Sequence, residues 1–350
     1  MTDKTEFIIS DFMTDTIYSY KVTAVNDGGE SFPSEVLSVC RKKSQSKMVL
    51  IINGFDRVAA PAVVQTDIFS GFANFIDAGV ADGYNLDFTG RQFNFDPQSR
   101  WTDDDAPGFG SSYADMETKI IPGNTHNFSY THGKALKDIG YSFVSASDEA
   151  VMSGLISLKD YAYVDLILGE EQKTPRPKDK NSVRFKTFPD SLQKRISEYC
   201  QAGGSIFISG ANVGSDIFET NPLDSADMRF SRDILHYRFR TDKASLLGKV
   251  HATDSLFKSV IPGFKFNTAY KKNIYSAEAV DGLEPSSRSD ARVLLRYSEN
   301  NISAAVGYTG SYKVVVFGFP FETIEDSIDR SRVMQAVFTF FNSPGPGTKF

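Results

Sequence analysis

This sequence predicts an α/β fold, a three-layer sandwich around a mostly parallel sheet, on three observations. The first is a set of short, continuous apolar runs: 48–54 (Met-Val-Leu-Ile-Ile-Asn-Gly), 163–170, 204–210 and 313–319, with a shorter one at 141–145. Runs without polar alternation mark strands buried on both faces, as in a parallel sheet. The second is that helical patterns fall between them, at 133–139, 189–202 and 330–341, and alternating strands and helices place helices on both sides of one sheet. The third is bulk. The 350 residues suggest about two units at roughly 150 residues each, and 41% hydrophobic residues, with 29 Phe and 15 Tyr, argue for packed cores rather than disorder.

Taken in order, residues 16–25 place Tyr18, Tyr20, Val22 and Ala24 on one strand face and Ser19, Lys21 and Thr23 on the other. Asn26-Asp27-Gly28-Gly29 supplies a turn tolerant of positive φ, and Val36-Leu37-Ser38-Val39 returns as the next strand, so a hairpin is expected. Residues 43–47 read as a polar linker, and 48–350 as the α/β unit. Within it, Leu192, Ile196, Tyr199 and Cys200 share one helical face, and Gly203-Gly204 ends the helix. Cys200 therefore reads as a buried structural thiol, and with Cys40 as the other cysteine a disulfide scaffold is excluded. The stretches at about 84–113 and 221–290 exceed what short connections require and read as insertions.

Charge and hydropathy limit the partners. With 38 basic against 44 acidic side chains, the net charge of −6 gives no overall footprint for nucleic acid. No run approaches the length of a membrane span, and the first residues lack the layout of a signal peptide. Neither GxGxxG nor GxxxxGK[ST] occurs at a strand-to-helix turn, so no cofactor is assigned, and the histidines lack metal-ligand spacing, so no metal site is assigned either.

In doubly wound sheets ligands bind beyond the carboxyl ends of the strands. That rule selects Asn53, Asp56 and Arg57 after the first run, Glu170 and Glu171 after the next, Ser209 to Asp216, and Glu322. His126 and His132, flanking the start of a helix, are candidate bases or loop-bonding residues. Ser209 is a candidate nucleophile if a histidine approaches it, and Glu170 with Glu322 a candidate acid/base pair. Ser215 and Asp216 either hydrogen-bond a substrate or cap a helix. The basic loop Lys173, Arg176, Lys178, Lys180, Arg184 and Lys186, together with Arg91, suits an acidic sugar or is a solvated loop. Trp101, with Tyr84, Phe88, Phe93 and Phe95, offers rings for sugar stacking or for packing the insertion. Asp103-Asp104-Asp105 fails the spacing of a calcium loop and reads as an acidic turn.

Three resemblances add to this reading. TIYSYKVTAVNDGGESFPSEVLSV resembles the last two strands of a fibronectin type III domain, which implies that residues 1–42 are the C-terminal part of such a β-sandwich, with further domains and an export signal upstream. Strand, then Gly210-Ala211-Asn212-Val213-Gly214, then helix resembles the nucleophile elbow of class I glutamine amidotransferase-like domains, with Asn212 where that family needs Cys. A carboxamide is no nucleophile, so Asn212 is expected to recognise substrate and glutamine hydrolysis is not expected. The combination with INGFDRV, GRQFNFDPQSRWTDDDAPGFG, THNFSYTHGKAL, SASDEAV and FGFPFETI is similar to exported Bacteroidetes proteins labelled xanthan lyase. That resemblance implies a secreted, periplasmic or cell-surface protein acting on or binding complex polysaccharide, as a lyase, as a serine or carboxylate hydrolase, or as a non-catalytic glycan-binding module.

Overall fold

The computed structural model describes residues 4, 6–23, 25–26, 29–30, 34–44, 47–55, 62–65, 70–73, 96–100, 102, 108–109, 127–176, 179–219, 223–269, 274–277 and 279–344. Eleven strands form one sheet. In chain order they are β1 (Ile17–Tyr20), β2 (Leu37–Cys40), β3 (Met48–Asn53), β4 (Ser142–Ser147), β5 (Tyr163–Gly169), β6 (Ser205–Gly210), β7 (Lys249–Ala252), β8 (Gly263–Lys265), β9 (Arg292–Tyr297), β10 (Ser303–Thr309) and β11 (Lys313–Phe317). Across the sheet they lie β1-β2-β4-β3-β5-β6-β11-β10-β9-β7-β8.

The central strands β4, β3, β5, β6 and β11 are parallel. Counted along the chain by themselves they run 2-1-3-4-5, a common doubly wound order whose switch point lies between the first and third, here β3 and β5. The continuous apolar runs follow from burial on both sides: Val49 and Ile51 enter one core while Leu50 and Ile52 enter the other. Seven helices are described: α1 (Phe128–Asp138), α2 (Asp148–Met152), α3 (Asp190–Gln201), α4 (Ser215–Phe218), α5 (Ser225–Arg229), α6 (Ser255–Val260) and α7 (Ser327–Asn342). Leu136, Phe257, Val337 and Phe340 bring α1, α6 and α7 onto the first face, and Val151, Leu192 and Ile196 bring α2 and α3 onto the second.

The expected α3 forms, and Cys200 is buried in it, its thiol pushed up to about 12 by that burial. Three other expectations change. First, the N-terminal hairpin forms, with Ile17 opposite Cys40 and Tyr20 opposite Leu37, but its place is the edge of the main sheet. Cys40 bridges Phe143, and serines stitch β2 to β4: Ser38 N donates to Ser145 Oγ, and Ser145 Oγ donates back to Ser38 O. Second, the segment 221–290 is no mere insertion. It supplies β7 and β8, which extend the sheet through the antiparallel strands β9 and β10. The insertion expected at 84–113 lies mostly outside the described residues. Third, α1 begins at Phe128 rather than at Gly133.

The reason for a mid-helix glycine is a close approach. A Cβ at Gly133 would lie 2.2 Å from the Phe143 ring of β4, which is fully buried and has no room to yield. Gly133→Ala is expected to lower stability by about 1–3 kcal/mol through overpacking, outweighing its helix-propensity gain. Urea unfolding of the variant against the parent checks this, and an unchanged midpoint would refute the tight contact.

Candidate functional site

At the switch point the sheet carries a charge in its middle. Asp165 sits in β5 between Val164 and Leu166, which face the α3 side, so its side chain turns toward α1. There it meets His132, on the second turn of α1. His132 Nδ1 donates to Asp165 Oδ2 at 2.9 Å, and Nε2 donates to Glu322 Oε2 at 3.3 Å. Glu322, in the short 3₁₀ turn Phe321–Thr323, also accepts from Tyr275 OH at 2.7 Å. All four side chains are buried, and the Tyr275 ring packs with those of Phe55 and Phe128, the three centroids 5.4–6.1 Å apart.

Burial by itself would push the imidazole down, but the charge and hydrogen bond of Asp165, seconded by Glu322, hold it up at about 9. His132 is therefore an imidazolium at neutral pH. Burial, with Glu322 beside it, raises the Tyr275 phenol, which stays a donor. Nearby, Asn53 Oδ1, Asp165 Oδ1 and Ser209 Oγ are buried without a hydrogen-bond partner among the described residues. Asn53 and Ser209 both lie opposite Ile167, at the ends of β3 and β6.

The second group is the elbow. β6 ends at Gly210, the turn 211–214 follows, and α4 starts at Ser215, so Asn212 stands at the strand-to-helix junction as expected. Its Nδ2 donates to the carbonyls of Glu170 and Glu171, at 3.3 and 3.2 Å, tying the elbow to the end of β5. The elbow amides are capped from afar. Asp281 Oδ2 accepts from Gly214 N at 2.6 Å and Ser215 N at 2.9 Å, and burial pushes the Asp281 carboxyl well up. Tyr237 OH donates to the Val213 carbonyl. Asp216 accepts from Lys173 N and Thr187 N, at 2.6 and 3.0 Å, so it holds both ends of the segment expected as a basic loop, in which Thr174–Arg176 pairs antiparallel with Asp179–Phe185.

The residues chosen from sequence thus divide. Asn53, His132, Ser209 and Glu322 collect on the α1 side, and Asn212, Ser215 and Asp216 on the α3 side, where Val213 and Ile217 are packed. Glu170 contributes its carbonyl to the elbow, and its charge reaches Tyr275. His126, Asp56, Arg57, Arg91 and Trp101 lie outside the described residues, as do Tyr84, Phe88, Phe93, Phe95 and Asp103 to Asp105.

Several roles are corrected. Among the described residues Ser209 has no base bonded to it: both nitrogens of His132 are engaged by the Asp165 and Glu322 carboxylates, and His126 lies outside the described residues. Glu322 serves His132 and Tyr275 rather than pairing with Glu170. Ser215 and Asp216 do not cap α4, since the carboxylate on its amides is that of Asp281. In the basic loop, Lys186 is held by Asp227 at 2.9 Å and Asp190 at 3.1 Å. Asp165, Tyr275 and Asp281 are the residues sequence reasoning missed. A lone aspartate inside an apolar strand was the available signal for Asp165.

Among the described residues no group of three or more His, Cys, Asp or Glu side chains is arranged to hold a metal ion, and no helix is long and apolar enough to cross a membrane. No family model and no curated protein matches the sequence. Among solved structures, the chain is similar to an exo-β-1,4-mannosidase from Opitutaceae bacterium strain TAV5, with TM-score 0.36 and 11% identity over 65% of this chain and 32% of the mannosidase, so it spans about a third of that protein. It is also similar to a glutamine amidotransferase from Thermotoga maritima, with TM-score 0.33 and 14% identity over 58% of this chain and 74% of the other.

Two outcomes follow from the geometry. Because the folded-state pKa of His132 is raised above the ordinary 6.5, its contribution to stability is fully present below about 6.5 and is lost as pH rises through about 9. Thermal melting from pH 6 to 10 should show a decline that His132→Gln removes, and parallel profiles for the two proteins would contradict the charged imidazole. Asn212→Ala removes one hydrogen bond from each of two backbone carbonyls, of which that of Glu171 keeps Thr187 Oγ1 at 3.1 Å, so it should cost about 1–2 kcal/mol in denaturant unfolding. An unchanged stability would show that the carboxamide is not a strut.

Proposed function

We propose that this chain is a glycan-binding module on an amidotransferase-like α/β domain whose elbow has no nucleophile, in an exported or cell-surface protein that handles complex polysaccharide. The observation that carries the non-hydrolytic half is the state of Asn212. Its Nδ2 is committed to the β5 end, it is a carboxamide, and among the described residues no base is bonded to Ser209 or to the elbow. Asn212 Oδ1 has no partner among the described residues and is not sealed from solvent, so the elbow offers an acceptor to a ligand hydroxyl.

The glycan half rests on the sequence resemblance to exported proteins labelled xanthan lyase, and the surface location rests on the same resemblance. The lyase reading loses support from the site itself. Lyase chemistry needs a base beside a uronate and a cation to neutralise it, and the described histidine of the site is fixed as an imidazolium between two carboxylates.

The test is a turnover and binding screen on the purified chain. Polysaccharides and glutamine are incubated with it while ultraviolet-absorbing unsaturated sugar, reducing ends and released glutamate are followed, and the same polysaccharides are run in affinity electrophoresis. Retardation by at least one polysaccharide with no product in any assay is expected. Unsaturated sugar, new reducing ends or glutamate would overturn the non-hydrolytic reading, and no retardation by any polysaccharide would overturn the glycan reading.

A further inference from the structure

The elbow helix α4 ends at Phe218, and that ring is one layer of a stack. On one side it lies parallel to Phe239, with centroids 6.3 Å apart and planes at 12°. The guanidinium of Arg232 stands over it at 5.4 Å. Arg232 belongs to the π-helical turn Phe230–Ile234, which continues directly from α5, so its backbone is fixed as well as its head group.

This guanidinium lacks the partner that half-buried arginines normally have. Arg232 Nε is buried without an acceptor, and no carboxylate among the described residues pairs with the side chain. The aspartates around it are otherwise engaged. Asp233 faces Arg288 at 3.5 Å, Asp227 holds Lys186 at 2.9 Å, and Asp224 caps α5 at Ala226 N. Glu219, just after Phe218, is exposed, and its carboxylate pairs with no cation among the described residues, Arg232 included. Arg229, three residues before Arg232, adds a second cation whose described contact is Ser225 Oγ at 3.4 Å.

A guanidinium loses hydration when it stacks on an aromatic face, and an unpaired one held that way is organised for an oxyanion. With Nε sealed against the protein, recognition falls to the outer edge, where two Nη groups present parallel N–H donors that match the two oxygens of a carboxylate. We infer that Arg232, stacked on Phe218 at the end of the elbow helix and flanked by Arg229, is a binding site for the carboxylate of an acidic sugar. The sugar part of this assignment rests on the glycan reading above; the carboxylate part rests on the unpaired guanidinium.

Isothermal calorimetry tests it with three probes: a uronate oligosaccharide, the same oligosaccharide with its carboxyl groups reduced to alcohols, and an oligoglutamate peptide. The parent chain should bind the uronate form more tightly than the reduced form. Arg232→Gln should weaken the uronate form about tenfold to a hundredfold and leave the reduced form unchanged. Arg232→Lys should recover little, because an ammonium lacks the fork. Matching melting temperatures for parent and variants establish that the variants fold. If Arg232→Gln alone is unstable, Phe218→Leu, which removes the stacking platform, serves instead and should weaken the uronate form selectively. Equal affinity for uronate and reduced forms, or an uronate affinity untouched in Arg232→Gln, overturns the inference while leaving the glycan reading intact. Binding of neither saccharide overturns both, and tighter binding of oligoglutamate than of uronate overturns the sugar as occupant.

Discussion

A protonated imidazole held between two carboxylates under the switch point of a parallel sheet is the constraint around which the rest of this molecule is arranged. An imidazolium out of water is tolerable only with carboxylates in contact, and a carboxylate in the middle of a buried strand only with a cation in contact. Asp165 and His132 therefore require each other, and they require α1 to cross the sheet where its second turn meets β5. Gly133 makes that crossing close enough by leaving room for the Phe143 ring. Glu322 and Tyr275 complete the chain of bonds, so four separate segments are located by one charge cluster. Removing one member of such a buried set leaves an uncompensated charge, typically at a cost of about 3–5 kcal/mol. The same bonds commit both nitrogens of His132 to carboxylates rather than to Ser209.

The elbow is held by a different economy of polar groups. A four-residue helix has no macrodipole worth the name and no local cap here, so its first amides need an acceptor from elsewhere. Asp281 supplies it from 66 residues away in sequence, Asn212 ties the turn to β5, and Asp216 grips the loop that begins beyond Glu171. These bonds join the turn to the end of β5, to the 173–187 segment and to the residue that leads into the strand Gly282–Pro285. A turn braced in this way presents a fixed surface without storing a reactive group.

How much of this was readable from sequence depends on whether the signal was local. Val49 to Ile52 and Val314 to Phe317 announced themselves because strands buried on both faces leave no polar alternation. Leu192, Ile196, Tyr199 and Cys200 likewise gave α3 nearly to the residue. The start of α1 was misplaced because Gly133 looked like a boundary when it is a contact. Segment 221–290 hid its strands because β7 and β8 are only four and three residues long, too short to show a period. The N-terminal hairpin was legible as a hairpin, but nothing in Tyr18 or Val39 says which sheet edge it joins. The strand-end placement of the candidate site was legible, with Asn53 and Ser209 at the ends of β3 and β6 and Asn212 and Glu322 beyond β6 and β11, divided between the two sides of the sheet. Its partnerships were not, because Asp165–His132 and Asp281–Gly214 span 33 and 67 residues.

The segment 221–290 then acquires a purpose that a list of insertions would conceal, through residues that lie outside the strands of the main sheet. Without it the parallel strands would still form a doubly wound layer, but Tyr275 would not cover Glu322 and Asp281 would not cap the elbow. Tyr297, in β9, fixes Asp281 in turn by donating to its carbonyl at 2.8 Å. The added segment thus seals the buried charge cluster on one side of the sheet and immobilises the elbow on the other. An elbow braced in this way leaves Asn212 Oδ1 without a protein partner among the described residues, and rigidity of that kind lowers the ordering cost of binding a flexible polymer.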